Sequence, residues 1–140
     1  MPSTALPALK TAVLEILGET PGLEGVTITD DKEPERAKEY IWLYRAKAVR
    51  DWASIGTKAK DEMPKVFLRI AAILGGKSGA ASESRVFELA EIVEEALDDH
   101  VTLNGAVRFH LIEDIEEEKQ LFDTTWGAHV LMTLSAKARI

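Results

Sequence analysis

The sequence predicts an α+β fold, a mostly antiparallel sheet with two amphipathic helices packed on one face. Three observations carry that reading. The chain ends on "WGAHVLMTLSAKARI", residues 126 to 140, in which Trp126, Ala128, Val130, Met132, Leu134, Ala136, Ala138 and Ile140 are apolar. The intervening positions are mostly polar, with Leu131 the exception, and such alternation belongs to a strand with one wet and one dry face. Two other segments repeat their apolar residues at helical spacing. The elements run helix, three strands, helix, two strands, so strands outnumber one-sided helices, which suits helices laid on one face of a sheet.

The first helix spans residues 4 to 17, where Leu6, Leu9, Val13, Ile16 and Leu17 fall on one face. Ser3 or Thr4 can cap it and Gly18 can end it, before Pro21 and Gly22 turn the chain. "GVTITDD" (25 to 31) reads as a short strand and "KEPERAK" (32 to 38) as a charged loop. "EYIWLYRAKAVRDWASI" (39 to 55) is aromatic and β-branched enough for a second strand. "TKAKDEMP" (57 to 64) reads as a loop, and "KVFLRIAAILGG" (65 to 76) as a third strand. The second helix runs from 82 to about 99, with Val86, Leu89, Val93, Ala96 and Leu97 as its stripe and Ser82 as its cap. After Asn104-Gly105, residues 106 to 122 begin as a strand through Val107, Phe109 and Leu111. The acidic stretch 113 to 118 then interrupts the pattern and reads as a solvated hairpin tip.

A length of 140 residues suits one domain, 1 to 140, with a core of its own. No apolar run approaches the ~18 residues of a membrane span, and no signal peptide is visible at the start. With no cysteine there are no disulfides or thiolate metal sites. A net charge of -7 argues against a surface built to grip nucleic-acid phosphate.

No catalytic constellation is visible. "ILGGKSG" has part of a phosphate loop, but Ala71 stands where the leading glycine is required, so a glycine-rich connector is expected. His100, His110 and His129 show no metal-binding spacing, although His110 and His129 would approach one another if their strands pair. No catalytic, cofactor or metal residue is assigned. Glu113, Asp114, Glu116, Glu117 and Glu118 form the candidate interface or lumen, because five carboxylates so close repel one another unless a partner uses them. Trp42, Tyr44, Trp52 and Trp126 offer an alternative, the lining of a small ligand-binding pocket. An enzyme with a dispersed site is a further alternative.

The layout resembles the tail terminator (tail completion) proteins of long-tailed bacteriophages. The points of similarity are the helices in "ALPALKTAVLEIL" and "SRVFELAEIVEEAL", the acidic "HLIEDIEEEKQLF" and the closing strand "WGAHVLMTLSAKARI". They cover nearly the whole chain as a pattern of elements. The resemblance implies a ring, usually hexameric, on the head-proximal end of the tail tube. Such a ring stops tube polymerisation, meets the head connector and lets genomic DNA pass through its bore without specific binding. It implies a location in the virion tail after assembly in the host cytoplasm, no membrane and no catalysis. In such an assembly the terminal strand would be a central or edge element of a sheet continuing into a neighbour. On an edge, Lys137 and Arg139 would blunt unwanted pairing.

Overall fold

Among the described residues, two helices and five strands form in the predicted order: α1 (Leu6–Gly18), β1 (Thr27–Thr29), β2 (Glu39–Arg50), β3 (Asp61–Ala72), α2 (Ala80–Asp98), β4 (Phe109–Phe122) and β5 (Thr125–Arg139). The computed structural model describes residues 4–34, 37–50, 61–74, 79–122 and 125–139. The strands make one sheet in the order β1-β2-β3-β5-β4, antiparallel throughout except for the parallel β1–β2 pair. The α+β class and the mostly antiparallel sheet are as predicted.

The core lies between this sheet and the two helices. Leu9, Val13, Ile16 and Leu17 of α1 and Val86, Leu89, Val93 and Leu97 of α2 are buried. They meet Ile41 and Leu43 of β2, Val66, Leu68 and Ile70 of β3, and Val130, Met132 and Leu134 of β5. Each such side chain contributes roughly 1.5–3 kcal/mol through burial. The even-numbered positions of β5 face the helices, as their alternation requires. No helix among the described residues is long and apolar enough to cross a membrane.

Several boundaries differ from expectation, each for a physical reason. The expected strand 39 to 55 ends at Arg50, and residues 51 to 60 lie outside those described. β3 begins at Asp61 instead of after Pro64. Its ladder to β5 skips Met63 and Pro64, so the missing proline N–H falls where that ladder is interrupted. Ser82 is not a cap: it sits buried inside α2, its Oγ accepting the Leu74 N–H at 3.0 Å. Thr4 Oγ1 accepts a local bond from the Leu6 N–H at 3.3 Å, but the stronger anchor of α1 is Glu62. This fully buried carboxylate accepts from the Ala5 N–H and the Thr4 hydroxyl, both at 2.8 Å.

The largest correction concerns Glu113 to Glu118. They form no hairpin tip but the middle of β4, paired with β5 from Phe109↔Lys137 to Phe122↔Thr125. Low strand propensity is overridden by a complete ladder on one side and a wet edge on the other. β5 therefore lies inside the sheet between β3 and β4, and Lys137 and Arg139 guard no edge.

Candidate assembly surface

The helices cover one face of the sheet and leave the other open. Alternation decides which side chains stand on the open face. They are Lys65, Phe67 and Arg69 of β3, and His129, Leu131, Thr133 and Ser135 of β5, opposite in parity to the buried positions. A bulge between Leu43 and Arg45 sets Tyr44 beside Arg45 on this face of β2. The rings of Trp42 and Tyr44 lie 5.7 Å apart and those of Tyr44 and Phe67 6.2 Å apart. The Arg45 guanidinium stands 5.3 Å from the Phe67 ring centre, a cation–π contact. A second bulge, between Ile112 and Asp114, adjusts β4 in the same way.

A chain of polar groups crosses the middle of the face. Tyr40 donates its hydroxyl to Glu33 at 2.7 Å, and Arg69 Nη1 donates to the same carboxylate oxygen at 3.1 Å. Burial, then the bond to Glu33, pushes the Tyr40 hydroxyl well above its usual range. Arg69 Nη2 stands 3.1 Å from His129 Nδ1. Arginine can only donate, so Nδ1 accepts and the histidine proton resides on Nε2. From there it reaches Glu118 Oε2 at 3.2 Å. Burial, and next the Arg69 charge, lower the His129 pKa, which keeps the ring neutral in this arrangement. A shallow concavity of about 250 Å³ lies over this row, lined by Trp42, Tyr44, Arg69, Glu118, His129 and Leu131.

The face is divided by charge. Arg45 and Lys47 of β2 lie toward one end, and the acidic residues of β4 lie at the other. Lys65 bridges part of the gap, its Nζ 2.9 Å from Glu113 Oε2. Large apolar groups stand among these charges: Tyr44, Val49, Met63, Phe109 and Leu111 are all exposed, Leu111 by 53%. Exposed apolar side chains gathered on one face make it a candidate surface for meeting another molecule.

The five predicted carboxylates do share one strand, but not one face. The ladder places Asp114, Glu116 and Glu118 on the open side, opposite Thr133, Leu131 and His129, and Glu117 on the helix side, opposite the buried Val130. Glu118, expected on a wet loop with nothing buried depending on it, instead binds a histidine that is only 2% exposed. His110 and His129 are not brought together. His110 is on the helix side, its Nδ1 3.0 Å from the Val101 carbonyl, while His129 is on the open face. Among the described residues no three His, Asp or Glu side chains converge as a metal site would require. Of the proposed aromatic pocket, Trp42 and Tyr44 do meet; Trp52 and the Trp126 side chain lie outside what is described, as does most of "GGKSG". The Glu33–Arg69–His129 row was missed, although Arg69 as the one charge in "VFLRIAAIL" and His129 at an outward position of β5 were its visible signals.

No protein-family model and no curated protein matches the chain. In fold, it is similar to a chain in a solved structure described as the virion of a native gene transfer agent particle. The two share a TM-score of 0.60 at 12% sequence identity, over 99% of this chain and 100% of that one.

Proposed function

We propose that this chain is a structural virion protein that forms a ring, hexameric in the manner of tail terminators, at the head-proximal end of a phage tail tube. The observation that carries the reading is the likeness of fold to a virion-particle chain over the full length of both molecules. The open sheet face supports it, since a ring subunit must offer large surfaces to neighbours and this one leaves apolar and charged groups together uncovered. Its partners are further copies of itself, the tail tube protein and the head connector, with genomic DNA passing through the bore. An acidic protein suits that passage, because a basic lumen would hold the phosphates. The role is mechanical: it needs no cofactor, metal or catalytic group. Under this reading the protein belongs to the virion tail, after assembly in the host cytoplasm.

Deleting the gene from its phage tests the proposal. Electron microscopy of the lysate is expected to show overlong tails, or tails that fail to join heads. Tails of normal length attached to heads would overturn it.

A further inference from the structure

We infer that the ring closes by strand pairing, the acidic outer edge of β4 in one copy running antiparallel along the basic outer edge of β2 in the next. The inference rests on the ring reading and assigns the surface that makes the ring.

Both edges are open. β4 pairs only with β5 among the described residues, so one side of its backbone offers unpaired N–H and C=O groups. At the opposite end of the sheet, β1 covers β2 only at Tyr40, Ile41 and Trp42, which leaves residues 43 to 50 without an outer neighbour among those described. At ~3.4 Å per residue that free segment is ~27 Å long, ample for a ladder. Such edges normally carry devices against pairing, and here the device is selective. The β4 edge bears Glu113, Asp114, Glu116, Glu117 and Glu118, whereas the β2 edge bears Arg45, Lys47 and Arg50. Two β4 edges repel, and so do two β2 edges. Only the unlike pair attracts. That excludes the two-fold contact of an edge with itself and leaves the head-to-tail contact from which rings are built.

Direction and facing agree with this. β2 and β5 run one way and β3 and β4 the other, so a copy rotated about an axis along the strands presents its β2 antiparallel to β4. Arg45 and Lys47 then share the open face with Asp114 and Glu116. None of these four has an ion-pair partner among the described residues, so each is available to a neighbour. With Arg45 opposite Glu116 and Lys47 opposite Asp114, the exposed Val49 of one copy would also approach the exposed Leu111 of the next, extending the apolar strip across the junction.

The absence of native cysteine makes the contact directly readable. Ala46 and Ala48 on β2, and Ile115 and Glu117 on β4, all stand on the helix side of their strands. Four double variants combine Ala46→Cys or Ala48→Cys with Ile115→Cys or Glu117→Cys. Within one chain the two strands are three spacings apart, ~14 Å, twice the ~7 Å limit between disulfide-linked Cα atoms. Mild oxidation of concentrated protein is therefore expected to give disulfide-linked oligomers in at least one pairing, absent from each single variant. Monomer in all four would overturn the edge contact. A charge exchange gives the second reading. Asp114→Lys/Glu116→Lys and Arg45→Glu/Lys47→Glu are each expected to cut cross-linking tenfold or more in the cysteine background, while an equimolar mixture restores it. No recovery in the mixture would overturn the pairing of these charges. Defective tails in the deletion phage without any cross-link would sink the edge and leave the ring; a cross-link with normal tails would sink the tail role alone.

Discussion

At His129 a single proton records the environment of the open face. The folded ring resists protonation because burial and Arg69 lower its pKa below the ordinary 6.5, whereas the unfolded chain takes the proton near that value. The contribution to stability is therefore complete above pH 6.5 and is lost as pH falls through the folded value. His129→Gln keeps an acceptor toward Arg69 and a donor toward Glu118 without titrating. Urea midpoints measured between about pH 7 and 5 should fall more steeply for the parent than for this variant. Parallel curves would show that the histidine is not held neutral. Glu62 makes the second argument at this scale. Glu62→Ala strands the buried Ala5 N–H and removes the acceptor of Thr4, with an expected loss of about 1–3 kcal/mol in denaturant unfolding. Both residues looked unremarkable in the sequence, because the bonds from Glu62 to Ala5 and from Arg69 to His129 join positions 57 and 60 apart in the chain.

Among the elements, β5 was the most legible and β4 the least. Alternation in β5 is set by a dry face pressed on both helices, so parity alone identifies its core residues. Met132→Ala should cost about 2–5 kcal/mol, because it opens a cavity beneath α2. Thr133→Ala, on the open face, should change the unfolding midpoint by no more than about 0.5 kcal/mol. Equal effects would reverse the assignment of faces. β4 concealed itself because an edge strand with wet side chains needs no apolar period; its ladder to β5 supplies the order. The helices were plain for the opposite reason, each burying one stripe, but their ends were not. Glu62 from a distant strand satisfies the start of α1, where a local side-chain cap was expected.

Among the described residues the sheet presents two open edges of opposite charge and one uncovered face, and assembly should respond to salt accordingly. Exposed charges are screened over ~8–10 Å near physiological ionic strength and over ~3 Å at 1 M. Ring formation, followed by analytical ultracentrifugation or by cross-linking yield, should weaken as salt rises. Glu116→Ser/Glu117→Ser should reproduce part of that loss while leaving the thermal midpoint unchanged, since neither residue has an ion-pair partner among those described. Glu118 is left out of the variant because His129 depends on it. By itself the sequence determined the order of elements, the class of fold and the buried parity of the helices and of β5. Those follow from periods of 3.6 and 2, which each segment carries locally. Only the tertiary structure decided that β5 is interior, that five carboxylates line an edge, and that Arg69 meets His129. Strand order and register are relations between segments far apart in the chain, and they arise from the closing of the sheet over the helices.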